Sequence, residues 1–133
     1  MRVVFDTNIF ISALVIPGSQ AEAAVLKILE GTDTLIISRE IINELLSVLA
    51  TKFSRDIDEL ARVAVNLADL SEMVYPAEKI NILRDAPDNR ILECALSGDA
   101  DVIVTGDKEM LKLKEYKGIK IITLREYVIG NGQ

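Results

Sequence analysis

Short apolar runs alternate with longer amphipathic stretches along the whole chain. The apolar runs are rich in β-branched residues and predict strands at residues 3–5, 34–37, 101–104 and 119–123, with a weaker one at 73–75. The amphipathic stretches predict helices at residues 9–15, 19–31, 38–49, 56–71, 85–97 and 108–116. Strands that alternate with helices indicate an α/β fold, with a central, mostly parallel sheet between two helical layers. We expect residues 1–133 to form a single domain of this three-layer α/β/α class.

Several predicted helices carry recognisable start and stop signals. Ser19 with Glu22 matches a capping box, and Ser38 can cap the helix that follows it. The helix that begins in the Asp85-Ala86-Pro87-Asp88 segment has a proline in its first turn, and Gly98 is a natural end for it. These signals fix the order of elements more firmly than apolar periodicity alone.

Four acidic residues are predicted to point toward one edge of this sheet. Asp6 follows the first strand. Asp107 follows the apolar run at residues 101–104, from which Thr105 and Gly106 separate it. Asp88 falls in the middle of the apolar stripe of its helix, whereas Glu44 lies at the edge of its own. In open parallel sheets, ligands bind beside the carboxyl ends of the strands. We therefore predict that the four carboxylates form a metal site.

Each of these acids also has a structural alternative. Asp88 is an equally good candidate for a helix cap, and Asp107 precedes a helix that it could cap while also binding metal. Glu44 taken alone is more often a solvated charge. Asp6 has the weakest alternative, because a carboxylate between two apolar segments costs several kcal/mol (roughly 2–7) unless a partner compensates it.

Neutral and basic residues nearby complete the predicted site. Neutral hydrogen-bonding groups suited to orienting carboxylates or a bound water are Thr7, Asn8 and Thr105. Cations placed to meet phosphates are Arg84, Arg90 and Lys108. Carboxylates without nitrogen or sulfur ligands suit hard cations, so we expect one or two Mg²⁺ or Mn²⁺ ions and phosphoryl chemistry.

Composition narrows the possible chemistry further. The chain has no histidine, which excludes imidazole ligands and histidine-dependent triads, and its lone Cys94 can form neither an intrachain disulfide nor a cysteine-rich zinc site. A formal net charge of −6 argues against loose binding to any polyanion, although bound cations would offset part of it. Without a leader pattern or a long apolar stretch, we expect a cytoplasmic protein that does not associate with membranes.

Four segments in this order give the chain a resemblance to the PIN-domain family, and more closely to its prokaryotic toxin components, the VapC-like ribonucleases. The segments are FDTNIFISAL around Asp6, IISREIINELLSVL around Glu44, DAPDNRILECAL around Asp88 and ADVIVTGDKEMLKL around Asp107. The resemblance implies cleavage of single-stranded RNA with Mg²⁺ or Mn²⁺ held by the acidic cluster. It also implies a homodimer, inhibited by a small antitoxin whose C-terminal segment occupies the active-site groove.

Carried over residue by residue, the family's acids fall on the same four positions, with Asn8 and Thr105 as supporting polar residues. Family alignments can also place weight on Asp85, the other aspartate of the third segment. Glu93 lies near a position where some relatives have a further acid. Helical periodicity turns Glu93 outward, to the face opposite Asp88, so we expect Glu93 to stay out of direct metal contact.

The resulting hypothesis is an endoribonuclease in which a metal-activated water attacks the phosphodiester in line and leaves 5′-phosphate and 3′-hydroxyl ends. Asp6, Asp88 and Asp107 would hold metal, and Glu44 would bind it directly or through water. One alternative is a non-catalytic PIN-like module that binds RNA or a peptide. A less favoured one is a phosphoaspartate phosphatase or receiver domain, since the segment after Asp6 lacks the second aspartate that such phosphatases use.

Overall fold

A mostly parallel six-stranded sheet with flanking helices forms the fold of the computed structural model, which describes residues 1–130. The strands are β1 Arg2–Phe5, β2 Thr34–Ser38, β3 Glu72–Val74, β4 Val102–Val104, β5 Glu115–Tyr116 and β6 Ile119–Ile122. The helices are α1 Thr7–Val15, α2 Gln20–Leu29, α3 Arg39–Lys52, α4 Ile57–Leu70, α5 Ala86–Ser97, α6 Lys108–Leu113 and α7 Leu124–Ile129. The predicted α/β class with a mostly parallel central sheet is confirmed.

Strand order brings two distant parts of the chain together at the centre of the sheet. The order is β3-β2-β1-β4-β6-β5, and every neighbouring pair is parallel except β5 with β6. Phe5 of β1 is in register with Val104 of β4, and Asp6 donates its backbone N–H to the Val104 carbonyl at 3.0 Å. Residues that follow these two strands therefore emerge side by side at one edge of the sheet.

The central strands are held by a close-packed apolar core. Val3, Val4 and Phe5 are fully buried, as is Ile103 of β4. The ring of Phe5 packs edge-on against Tyr127 of α7 with 5.6 Å between ring centroids. Each such side chain contributes about 1.5–3 kcal/mol relative to an exposed one, so the ends of β1 and β4 are anchored firmly.

Helix boundaries follow the polar signals in the sequence. Ser19 Oγ accepts from the Glu22 N–H at 3.2 Å, and Ser38 Oγ accepts from the Ile41 N–H at 3.3 Å, so both serines are N-caps as predicted. The capping box predicted for Ser19 and Glu22 is only half formed, because the Glu22 carboxylate accepts from the Gly18 N–H instead of the Ser19 N–H. Gly98 ends α5 as predicted. A Cβ at Gly98 would lie 2.5 Å from Cγ2 of Ile36 in β2, which shows that the end of α5 approaches the sheet too closely for any side chain.

The C-terminal part differs from the prediction in two places. The helix expected to reach residue 116 ends at Leu113, because Lys114 adopts a φ of 61° and starts a β5–β6 hairpin that turns at Lys117 and Gly118. The sequence prediction also missed α7. Its signal was present, since Thr123 and Glu126 form a reciprocal capping box.

Helices α1 and α2 form a bent pair interrupted at Pro17 and Gly18. Gly18 has a φ of 74°, and its N–H is accepted by Oε1 of Glu22 at 3.3 Å. Their axes differ by 101°, and only as this pair do they reach the length and hydropathy of a membrane span. No single helix within residues 1–130 does so.

Candidate metal centre and its surroundings

Asp6 is held at the end of β1 by donors on both of its oxygens. The residue is 6% exposed, its Oδ2 accepts from the Thr105 hydroxyl at 2.7 Å, and its Oδ1 accepts from the Asn8 N–H at 3.4 Å. Burial raises the pKa of Asp6, and the hydrogen bonds from Thr105 and Asn8 oppose that rise. The side chain of Asn8 itself is exposed, so only its backbone contacts the carboxylate within the described chain.

Thr105 joins two of the predicted metal ligands through one hydroxyl group. Its side chain is fully buried, donates to Asp6 and accepts from the Asp107 N–H at 3.0 Å. Asp107 in turn caps α6, since its Oδ2 accepts from the Met110 N–H at 3.0 Å. The two aspartates are thus fixed relative to each other by the β4–α6 connection.

Asp88 brings a third carboxylate to the same place from α5. It is 6% exposed and lies in the first turn of that helix. Burial raises its pKa to about 7, helped by a hydrogen bond and repulsion from Asp107 and by the charges of Asp6 and Asp85. Like charges held this close to one another would be compensated by a bound cation. Three of the four predicted ligands therefore come together.

The donor set of this cluster fits a hard divalent cation, because it offers carboxylate oxygens and a hydroxyl and contains no nitrogen or sulfur ligand. Within residues 1–130, however, no group of three or more His, Cys, Asp or Glu side chains is arranged to hold a metal ion as it stands. Asp6 and Asp107 each direct oxygens at protein donors. The cluster thus has the ligand chemistry of a metal site, but its side chains are not arranged to coordinate an ion.

Glu44 lies beside the three aspartates rather than among them. It is half-buried on α3 and lines a cleft of about 170 Å³ together with Thr7, Glu40, Ile41, Ala86, Pro87 and Arg90. The charges that raise the pKa of Asp88 come from three aspartates and not from Glu44. Sequence analysis missed Glu40, although its spacing of four residues from Glu44 places both on one face of α3. The metal-binding role of Glu44 stays a prediction.

Of the three predicted phosphate-binding cations, one is already engaged. Arg90 donates through Nη2 to Oε2 of Glu93 at 2.7 Å and to the Ile80 carbonyl at 3.0 Å. Arg84 and Lys108 are exposed and form no salt bridge within residues 1–130. Arg84 and Lys108 are therefore the cations near the carboxylates that remain available for a ligand.

The expectation that Glu93 points outward was wrong. Glu93 is 5% exposed, and its Oε2 accepts from the Ile80 N–H at 2.8 Å as well as from Arg90. The physical reason is that the connection between β3 and α5 folds back over the helix and covers the face that carries Glu93. The hydrogen bonds of the Glu93 carboxylate hold this connection in place.

Asn89, which lies one helical turn nearer to Asp88 than Glu93 does, also holds the connection between β3 and α5. Its Oδ1 accepts from the N–H groups of Ile82 at 3.2 Å and Leu83 at 2.9 Å, and its Nδ2 donates to the Leu83 carbonyl at 2.9 Å. Asp85 occupies the N-cap position of α5 but makes no side-chain cap hydrogen bond there. The side chains of Asn89, Arg90 and Glu93 thus organise residues 80–83, a role that sequence reasoning did not identify.

A separate apolar groove of about 590 Å³ lies between α1, α2 and α4. Leu14 is 48% exposed and Leu29 62% exposed at this groove. Its other apolar lining residues are Phe10, Ala13, Val25, Val63, Leu67 and Leu70. Glu22, Asn66 and Asp69 form the polar part of its lining. The lining of the groove is therefore mainly apolar and includes two acidic residues, Glu22 and Asp69.

Comparisons with known proteins agree with this architecture. A family model described as PIN domain matches residues 2–109. The uncharacterized protein MJ1680 of Methanocaldococcus jannaschii is 30% identical over 126 residues, which cover 91% of this chain and 81% of that protein.

Two solved structures share the fold. VapBC2 from Rickettsia felis, bound to a DNA fragment from its promoter, matches with a TM-score of 0.63 at 16% identity over 92% of this chain and 98% of that one. VapBC-1 from nontypeable Haemophilus influenzae matches with a TM-score of 0.65 at 20% identity over 93% and 98%.

Proposed function

The chain belongs to the PIN domain family, and on this basis we propose that it is a metal-dependent endoribonuclease that cleaves single-stranded RNA as the toxin of a toxin–antitoxin pair. The observation that carries the proposal is the meeting of Asp6, Asp88 and Asp107 at one sheet edge, with the pKa of Asp88 raised to about 7. Such a perturbed carboxyl group beside like charges is typical of functional sites.

Asp6, Asp88 and Asp107 would hold one or two Mg²⁺ or Mn²⁺ ions, and Glu44 would contribute from across the adjoining cleft, directly or through water. When bound, such a cation activates water and neutralises charge on the phosphodiester. The protein's own part is to keep the carboxylates oriented, which Thr105 does by its hydrogen bonds to Asp6 and Asp107.

Other residues near the cluster suit a phosphodiester substrate. Arg84 and Lys108 are exposed cations that can bind nonbridging phosphate oxygens. Thr7 is buried at the start of α1 and forms part of the cleft beside Glu44, where its hydroxyl can orient a ligand. The absence of histidine from the chain removes the usual base for attack by a 2′-hydroxyl, which favours hydrolysis by water.

The substitution Asp6→Asn tests the proposal. It keeps the hydrogen bond with Thr105 feasible but removes a charge that a cation needs, so we expect cleavage of a labelled single-stranded RNA with Mn²⁺ to fall at least about a hundredfold. Asp58→Asn, an exposed first-turn aspartate of α4, is the matched control and should cleave normally. Undiminished, EDTA-sensitive cleavage by a clean Asp6→Asn preparation would count decisively against the proposal.

A non-catalytic module that binds RNA or a peptide is the second candidate. It is favoured by one observation, the lack of a metal-ready group of side chains within residues 1–130. Duplex RNA, single-stranded RNA and single-stranded DNA, each offered with Mg²⁺ and with Mn²⁺, separate the two functions. A non-catalytic module would bind one of these nucleic acids without cutting it, whereas the nuclease would cut the single-stranded RNA.

The apolar groove between α1, α2 and α4 supports the antitoxin part of the proposal. An amphipathic segment of a small antitoxin would lay its apolar face there, as helices do in such grooves. The two similar solved structures are both described as VapBC. Leu29→Glu should abolish the complex with a small antitoxin and leave cleavage intact, while Ile57→Glu, outside the groove, should leave both intact. A complex unaffected by Leu29→Glu would place the antitoxin elsewhere.

Two further parts of the proposal concern assembly and location. We propose that the protein acts in the cytoplasm as a homodimer. Light scattering over a range of protein concentrations tests the dimer, since a mass that stays at one chain, 14.7 kDa, would exclude it.

A further inference from the structure

One short segment of this acidic chain carries a third of its positive charges. Residues 108–120 contain five lysines and two glutamates, a net charge of +3, whereas the chain as a whole carries −6. The remaining residues therefore carry −9. The segment lies almost entirely beyond residues 2–109, the part matched by the family model. We call its five lysines the basic strip: Lys108, Lys112, Lys114, Lys117 and Lys120.

The charges of the basic strip are exposed and only weakly compensated. All five lysines are exposed. Lys112 lies 3.5 Å from Glu109, with both side chains largely in solvent, and Lys120 stands opposite Glu115 in the β5–β6 ladder. The other three lysines form no salt bridge within the described residues. Surface pairs such as Lys112 with Glu109 contribute about 0–1 kcal/mol, so they leave the lysines available to a polyanion.

The basic strip starts at the candidate metal centre and leads away from it. Lys108 directly follows Asp107 and is the first residue of α6, and Lys112 lies one turn further on. Helix α6 carries the chain about 9 Å from the carboxylates to Lys114. Lys117 and Lys120 then occupy the hairpin at the edge of the sheet, where Lys120 is in register with Val102 at the start of β4.

From this placement we infer that the basic strip binds the phosphates of the RNA strand on one side of the scissile bond. The inference rests on the proposed function, since it assumes that a strand enters at the carboxylates. The centre itself is acidic and sits in a strongly acidic remainder, so a polyanion needs an anchor outside it. Lysines act as point charges toward phosphates, so the contact would be independent of base sequence. Continuity with Asp107 favours an RNA strand, because its scissile phosphate has to reach the carboxylates, whereas an acidic protein segment could bind the lysines without reaching them.

Binding by an inactive protein tests the inference separately from catalysis. In an Asp6→Asn background, Lys112, Lys117 and Lys120 are replaced together by Gln, and the Kd for a fluorescent single-stranded RNA of about 20 nucleotides is measured by anisotropy over a range of salt. The matched control replaces three exposed cations elsewhere, Lys52, Arg62 and Lys79, and reaches the same net charge. Thermal melts of both triple variants check that they fold.

We expect the strip variant to raise Kd at least tenfold and to reduce the slope of log Kd against log salt by about 2, since each lost phosphate contact on a single strand removes about 0.7. The control should change Kd less than threefold. Equal effects of the two triples would overturn the inference, because net charge alone would then explain them. Absence of RNA binding, or binding of an acidic peptide through the strip instead, would overturn it as well.

These experiments distinguish a failure of the proposed nuclease function from a failure of the inference about the basic strip. If wild type cuts RNA but the three lysine substitutions change neither binding in the Asp6→Asn background nor cutting in the active one, the inference is wrong and the nuclease stands. If wild type never cuts RNA and the three substitutions still weaken binding, the strip is an RNA-binding surface and the nuclease falls. In the active background the same triple should raise KM and leave kcat unchanged, because none of the three lysines touches the carboxylates.

Discussion

Removing the charge of Asp88 should stabilise the protein when divalent cations are absent. Asp88 is buried beside Asp107 and Asp6, and its pKa is raised to about 7 from the usual value near 4. The folded state therefore holds this proton more tightly than the unfolded state does. Between about pH 4 and pH 7 the free energy of unfolding should fall as pH rises, and the full penalty should be present above that window.

The size of the effect can be bounded. At about 1.4 kcal/mol per unit of pKa, the shift corresponds to roughly 4 kcal/mol as an upper limit. Asp88→Asn also gives up a favourable interaction of about 0.3–1 kcal/mol with the N-terminus of α5. We therefore expect a net gain of roughly 1–3 kcal/mol near pH 8 in EDTA, or a rise in Tm of about 3–15 °C for a chain of this size.

Thermal and urea unfolding measured from about pH 4 to pH 8 provide the assay. Wild type should lose more stability across this range than Asp88→Asn, which keeps only the raised pKa of Asp6. Asp58→Asn, an exposed first-turn aspartate of α4, is the control for the helix effect alone. Adding Mn²⁺ at a hundredfold excess over its Kd should stabilise wild type by about 2.7 kcal/mol and the Asp88 variant much less. Parallel pH profiles for wild type and Asp88→Asn, or a variant destabilised at every pH, would refute the reasoning.

Three further predictions concern the surroundings of the cluster. Thr105→Val removes the donor to Asp6 and should weaken Mn²⁺ binding, measured by calorimetry, about 10–100-fold, while Thr105→Ser restores it; equal affinities for all three would contradict the role of this hydroxyl. Glu93→Gln breaks the ion pair with Arg90 and should lower the free energy of urea unfolding by about 1–3 kcal/mol, whereas an exposed Glu30→Gln should change it little. Burial raises the pKa of Cys94 to about 12, so a thiol reagent should label it only after unfolding, and rapid labelling of folded protein would show that the helix opens locally.

Most of the fold could be predicted because local signals and burial agree. β1 and β4 are short apolar runs that are buried in the sheet, and α3 begins at the serine that the sequence marks as its cap. The end of α6 could not be predicted in the same way. Lys114 has no local reason to adopt a positive φ, and it does so because pairing of β5 with β6 outweighs helix propensity in the following residues.

In the candidate site, too, some residues could be predicted from local sequence and others could not. Asp6 and Asp107 were predictable because each follows a strand of a parallel sheet, and Asp88 because a carboxylate in an apolar stripe needs compensation. The position of Glu93 was not, because helical periodicity describes the helix alone and not the chain that covers it. Arg90 was misjudged for the same reason, since its partner Ile80 lies in a segment without regular structure.

The connection between β3 and α5 has a consequence for hydrogen exchange. The N–H of Ile80 is bound by a buried carboxylate, and those of Ile82 and Leu83 by the buried amide oxygen of Asn89. Amides in irregular backbone normally exchange within the least stable part of a protein. Here deuterium should enter these three positions only when α5 itself detaches, so a stretch without helix or strand would report the opening of the helix that bears Asp88.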